Sequence, residues 1–161
     1  MGQILAKARD FRRINRLLIR RAQASDLGSI SAIEHGAHLR PWSRVSIAKE
    51  LANDNISSFW VACQRPQPEK VAGYICFRII QPELYILNLA VEKGFRRRGI
   101  GSCLILTCLG LGLRRKIKRA VLDVHRENER AIGFYQGLGF QFSDSNQRNK
   151  KNFAVMEMHF P

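Results

Sequence analysis

"LNLAVEKGFRRRGIGS", Leu87–Ser102, runs from an apolar segment through three consecutive arginines into the start of a helix. With its upstream neighbours it reads "ELYILNLAVE", almost continuously apolar, the pattern of a strand buried on both faces. The strand is predicted to end near Val91. A glycine-containing turn follows, then a long helix over 101–116. Basic side chains at a helix entrance oppose the helix dipole. Arg96, Arg97 and Arg98 therefore make sense there only if an anion sits between them and the first free backbone amides. Gly99 and Gly101 remove side chains that would block its close approach. A phosphate or pyrophosphate is the expected occupant.

The Walker spacing is absent, and a dinucleotide Gly-x-Gly-x-x-Gly run fails at Leu104. An Arg-x-x-Gly-x-Gly spacing on Arg96, Gly99 and Gly101 does fit. Its context strengthens it: a strand before it, and about 22 residues later a second buried strand, "RAVLDVHR", that carries an acid.

Outward from this centre the chain alternates in type. "LLIRRA" (17–22) suits a first strand. A helix with Leu27, Ile30 and Ile33 on one face follows, with Ser25 or Asp26 as its N-cap. "RPWS" breaks it and "SRVSIAKELAN" begins another. Residues 58–64 and 71–80 read as a hairpin around "RPQPEK". After the two central strands, "ENERAIGFYQGLG" reads as a short helix with Gly139 at its C-terminal end. "FQFSDS" and "FAVMEMHF" close the chain as strands joined by a basic loop. The expected fold is α/β: a single domain over 17–161, a mixed central sheet flanked by helices, preceded by a basic appendage at 1–16.

The chain has 161 residues and is 45% hydrophobic, enough for one domain with a real core. Lys and Arg number 27 against 13 Asp and Glu, a net charge of +14. Lys7–Arg21, Lys93–Arg98 and Arg114–Arg119 concentrate it. Such a surface steers phosphorylated ligands and attracts polyanions, so weak RNA contact is one expectation and a solvated face the other. No apolar run is long enough to cross a bilayer, and no secretory signal is seen. Cys63, Cys76, Cys103 and Cys108 show no metal-ligand spacing and are expected to be reduced residues of a cytoplasmic core, with no metal.

Three stretches, "AIEHGAHLRPWS", "LNLAVEKGFRRRGIGS" and "LDVHRENERAIGFYQGLGF", make the chain resemble the GCN5-related N-acetyltransferase superfamily. Among its members they look like the bacterial ribosomal-protein-alanine N-acetyltransferases. The resemblance implies acetyl-CoA as acetyl donor, with its pantetheine arm along the backbone of Leu89, Ala90 and Val91. It implies the pyrophosphate on the backbone of Arg97, Arg98, Gly99, Ile100, Gly101 and Ser102. Asn128 matches a cofactor-bonding position and also reads as a helix N-cap. Asp123 takes the position of the base that deprotonates the acceptor amine, and Tyr135 that of the acid that protonates the departing thiolate. The implied acceptor is a protein N-terminus, such as that of a small-subunit ribosomal protein.

Simple energetics favour such an acceptor. An α-amine with pKa about 8 is easier to deprotonate than a lysine near 10.4, by roughly 3.4 kcal/mol at neutral pH. Departures from the resembled pattern bear on the acceptor too. Asp123 stands where relatives have Glu, and His125 where they have Arg. "SNQRNKKN" is shorter than the family's hairpin loop and lacks its tyrosines. A small amine or a lysine side chain is therefore the competing acceptor, and a catalytically weak, RNA-associated acetyl-CoA-binding module the competing class. Asp123 lies in an apolar strand, where a buried carboxylate is costly unless it is hydrogen-bonded. Pro41 and Trp42 match the family's acceptor-side loop.

Overall fold

The computed structural model describes residues 17–53, 57–144 and 152–160; the basic appendage and the "SNQRNKK" loop lie outside them. Seven strands form one sheet: β1 (Leu17–Arg21), β2 (Ser57–Gln64), β3 (Val71–Ile80), β4 (Glu83–Val91), β5 (Arg119–His125), β6 (Gln141–Phe142) and β7 (Phe153–His159). Their spatial order is β1-β2-β3-β4-β5-β7-β6. All neighbours are antiparallel except β4 and β5. That parallel pair needs a crossover, and the apolar segment after the arginines supplies it as a helix.

Two pairs of helices cover the sheet. α1 (Leu27–Ala37) and α2 (Arg44–Ala52) lie on one face, α3 (Ile100–Arg114) and α4 (Glu129–Gly137) on the other. The alternation of each strand feeds two cores. Phe59, Val61, Cys63, Tyr74 and Cys76 pack with Ile30, Ile33 and Ile47. Ala62, Ala72, Ile75 and Phe77 pack with Leu104, Ile105 and Cys108 of α3. All four cysteines are buried and free.

Local chemistry sets the ends of these elements. Ser43 caps α2 by accepting the amide of Ser46 at 3.1 Å. Asp26 holds the N-cap position of α1 but does not cap it. A 3-10 turn over Ala24–Asp26 precedes α1, and the Asp26 carboxylate instead accepts from Gln23 N at 2.7 Å and from the Arg20 guanidinium at 2.7 and 2.8 Å. α3 stops at Arg114, two residues short of expectation, because Lys116 turns left-handed at φ 55° and Ile117 N closes on Gly112 O. α4 ends at Gly137. Gly139, at φ 101°, makes the left-handed exit foreseen for it, and Phe140 N bonds back to Tyr135 O at 3.1 Å.

β4 departs from the expectation of burial on both faces. Leu84, Ile86 and Ala90 are buried, whereas the remaining residues are only half-buried. Two features explain the difference. Opposite Cys76 and Phe77 of β3 the register slips, so Leu87 is an extra residue, a β-bulge. Before it, Leu84 and Ile86 face the α3 core; after it, Leu89 and Val91 do, while Leu87 and Ala90 face the α1 side. Beyond Ile86, β4 also loses its partner on the other edge. Its pairing with β5 runs only from Glu83 to Ile86 against Arg119–Leu122. β5 continues to His125, bonded on its far side to β7. The sheet thus splits between Leu87–Val91 and Asp123–His125.

Candidate active site

The split leaves one backbone edge of Leu89, Ala90 and Val91 unpaired with β5, while their other edge stays locked to Ile75, Tyr74 and Gly73. An extended ligand can lie on such an edge as a further strand would. β3 and β4 approach very closely at the end of this track. A Cβ on Gly73 would stand 2.9 Å from Ala90 O.

Just beyond Val91 the chain makes a 3-10 turn over Lys93–Phe95 and then two left-handed steps, Arg97 at φ 61° and Gly99 at φ 80°. Only the second is at glycine; a left-handed arginine is an uncommon conformation. The first bond of α3 runs from Cys103 N to Gly99 O at 3.0 Å. The amides of Ile100, Gly101 and Ser102 therefore precede any in-helix acceptor and point out of the helix start. A nest of amides arranged in this way can accept an anion.

Two residues of this turn also serve the packing. A Cβ on Gly101 would lie 3.3 Å from Phe134 Cζ and 3.7 Å from Val91 Cγ2, so the glycine admits α4 and β4 against the helix. Arg96 belongs to the scaffold. Its Nε donates to Val91 O at 3.0 Å and its Nη2 to Gly36 O at 3.3 Å, tying the end of β4 to the end of α1. Arg97 and Arg98 are exposed, and Arg98 lies over the Phe95 ring at 5.3 Å.

The two proton-handling candidates stand on opposite sides of β5, Asp123 on the strand itself and Tyr135 on α4. Asp123 and His125 share one face, with Val155 and Phe153 as their partners on β7. Asp123 is exposed, so the desolvation cost anticipated from its apolar strand does not arise. His125 meets Phe153 edge-on at 5.3 Å between centroids. Leu122 and Val124 point the other way, into the core that Tyr135 joins from α4. Tyr135 is half-buried between Phe134 and Phe140, and burial pushes its pKa up to about 12. Asn128 is the N-cap of α4; its Oδ1 accepts from Ala131 N at 3.1 Å, confirming the capping role.

Sequence reading missed one residue of this region. Glu34, on the apolar stripe of α1 with Ile30 and Ile33, is 1% exposed. Its carboxylate accepts from Trp42 N at 2.7 Å, from Asn88 Nδ2 at 3.2 Å and from the Tyr74 hydroxyl. An acid at a stripe position was the available signal. Among the described residues no cluster of three His, Cys, Asp or Glu side chains could hold a metal, and no helix is long and apolar enough to cross a membrane.

A mixed sheet split beside a bulged strand, with a helix start at the end of the split, is an α/β arrangement that known proteins share. The chain belongs to the Acetyltransferase (GNAT) family, whose pattern matches residues 5–140, and is an N-acetyltransferase of that type. A ribosomal protein bS18-alanine N-acetyltransferase of Escherichia coli strain K12 is 28% identical over 118 residues, 73% of this chain and 76% of that protein. The crystal structure of the ribosomal-protein-S18-alanine N-acetyltransferase from Escherichia coli superposes with a TM-score of 0.76, at 23% identity, over 89% of this chain and 93% of the other. PaiA N-acetyltransferase from Thermoplasma acidophilum, solved in complex with coenzyme A, has a TM-score of 0.75 at 20% identity, over 89% of this chain and 99% of the other.

Proposed function

We propose that the protein moves an acetyl group from acetyl-CoA to the α-amine of a protein N-terminus in the cytoplasm, an alanine-starting ribosomal protein being the favoured acceptor. The observation that carries the reading is the split between β4 and β5, with Asp123 on one side of β5 and Tyr135 on the other. The pantetheine arm lies along Leu89, Ala90 and Val91. The pyrophosphate sits on the backbone of Arg97 to Ser102, with the exposed Arg97 and Arg98 as its counter-charges. The cap leaves the Asn128 amide nitrogen to donate to the cofactor.

The acceptor amine approaches from the Asp123 side and Asp123, through a water, takes its proton. A nitrogen–carbon bond forms at the thioester carbonyl and the carbon–sulfur bond breaks. Tyr135 gives its proton to the leaving thiolate; a tyrosine held near 12 arrives at this step protonated. The shorter reach of Asp123 compared with Glu is consistent with a bridging water.

The name and sequence of the Escherichia coli relative favour the N-terminal acceptor. The basic loop without tyrosines, outside the described residues, favours a small amine or a lysine. Mass spectrometry of acetyl transfer to short peptides with free or blocked N-termini decides. Turnover of free N-termini that is lost in Asp123→Ala and Tyr135→Phe supports the reading; preferential turnover of blocked peptides or a polyamine replaces it. RNA contact through the basic faces is a separate proposal. Affinity for a single-stranded RNA that falls steeply with salt supports it, and absence of binding at low salt removes it.

A further inference from the structure

We infer that Glu34 is a positioning residue: its buried carboxylate sets the Pro41–Trp42 loop against the bulged segment of β4, and so places the acceptor amine before the acetyl group. This rests on the acyl-transfer reading above.

The carboxylate is shut away from water, and its neighbours are the reason it can be. Oε1 accepts from Trp42 N at 2.7 Å and Asn88 Nδ2 at 3.2 Å. Oε2 accepts from the Tyr74 hydroxyl, and His38 Nε2 lies 3.3 Å from it without the alignment of a hydrogen bond. No lysine or arginine reaches the carboxylate among the described residues. A buried acid held by neutral donors is costly compared with an apolar residue of similar size. Simple packing of α1 on the sheet would not call for it.

What the donors have in common is position. Asn88 follows the bulged Leu87 and directly precedes the Leu89–Val91 track; the bulge is what turns it toward α1. Tyr74 is the β3 partner of Ala90, the middle residue of that track. Trp42 N belongs to the loop between α1 and α2, flanked by the fully exposed Leu39 and the exposed Val45. Its amide follows Pro41, which offers no amide of its own. One carboxylate thus joins the strand on which the proposed donor lies to the Pro41–Trp42 loop, the segment that resembles the family's acceptor-side loop. Removing it frees the loop without touching the nest or the β4 edge that faces the split.

The test uses the full chain, acetyl-CoA and a hexapeptide with a free N-terminal alanine. If the wild-type protein does not acetylate the hexapeptide, the acyl-transfer reading fails for this acceptor and the inference falls with it. If it does, Glu34→Ala is expected to raise the peptide KM about 30-fold, while the acetyl-CoA Kd stays within about twofold. Glu34→Gln keeps an oxygen for Trp42 N and should recover to within about fivefold of wild type. Unfolding temperature is recorded for each variant. A lowered unfolding temperature with unchanged peptide KM overturns the inference, since a purely structural role predicts that pattern. Equal loss of peptide and acetyl-CoA binding overturns it as well. If Glu34→Ala does not fold, Glu34→Gln and Tyr74→Phe carry the test: each should raise the peptide KM about threefold without moving the acetyl-CoA Kd, and an unchanged KM in both sinks the idea.

Discussion

The proposed division of proton transfer between Asp123 and Tyr135 can be tested residue by residue, because their surroundings differ. Asp123 is exposed and one methylene shorter than Glu, so the proposed role turns on its reach. Asp123→Asn should lower kcat about 100-fold or more, the usual worth of a general base. Asp123→Glu should retain activity or raise it, because the longer side chain shortens the water bridge; kcat from a thiol-release assay reads both. Tyr135 is held protonated by burial, with its pKa pushed up to about 12. Tyr135→Phe should therefore depress kcat about 100-fold at every pH from 6 to 10 and leave the shape of the profile unaltered. A profile whose alkaline limb vanished in that variant would contradict the assignment.

Asp26 makes a different residue-level case. Burial alone would raise its pKa. The hydrogen bonds from Arg20 and from Gln23 N outweigh that and hold the carboxyl below its ordinary 3.8. The sign follows: the unfolded chain binds the proton more readily, so the contribution is fully present above about pH 5 and is lost as pH falls below 3.8 toward the folded value. Asp26→Asn should flatten the acid side of the stability curve and lower the unfolding temperature at pH 7. Thermal melts across pH 3 to 7 check both.

At the scale of elements, the glycines around the split show where packing leaves no choice. Gly73→Ala would push a Cβ to 2.9 Å from the Ala90 carbonyl oxygen, a backbone atom on a central strand that cannot step aside. A loss of about 2 kcal/mol or more is expected, with weakened acetyl-CoA binding because the same strand carries the track. Gly101→Ala meets the edge of a Phe134 ring at 3.3 Å, which can yield by a few tenths of an ångström. That variant should cost only about 1 kcal/mol. Denaturant melts of the two variants should preserve this ranking.

The element scale is also where sequence was most and least informative. The strand–turn–helix at Leu87–Ser102 was legible because its signals are local: apolar continuity, then glycines, then apolar helix spacing. The helix cap at Asn128 and the exit at Gly139 are local as well. The β4 bulge was not legible, since it is a mismatch with β3 and has no signature within β4 itself. The same holds for Glu34, whose donors stand 8, 40 and 54 residues away along the chain. Asp26 looked like a cap and turned out to be an ion-pair partner, because Arg20 on the preceding strand competes for it. Arg96 and the absent side chain of Gly101 also serve the scaffold, the first tying β4 to α1 and the second admitting Phe134 of α4, and these long-range contacts had no local signal.

Across the whole molecule the three basic runs of the sequence do not act alike. Part of each is absorbed by the fold. Arg20 pairs with Asp26, Arg96 is spent on two carbonyls, and Arg119 bridges Glu83 and Glu157. What remains exposed of these runs in the described residues is Arg21 and a cluster at each end of α3. Lys93, Arg97 and Arg98 stand at its start; Arg114, Arg115, Lys116 and Lys118 stand at its end. Fifteen residues of helix put these ends about 21 Å apart, more than two Debye lengths at physiological salt. The two clusters should consequently be separable by mutation. Neutralising Arg97 and Arg98 to alanine should raise the acetyl-CoA Kd about tenfold at 50 mM salt, by about threefold at 500 mM, and should slow its association. Neutralising the four cations at the far end should leave acetyl-CoA binding and hexapeptide turnover within about twofold, because about 21 Å is about 1.5 Debye lengths at 50 mM salt and about five at 500 mM. Calorimetric titration of acetyl-CoA at the two salt concentrations, with both variants, distinguishes these outcomes. An equal effect from the two ends would mean that the overall +14 charge, rather than the built nest, draws the cofactor in.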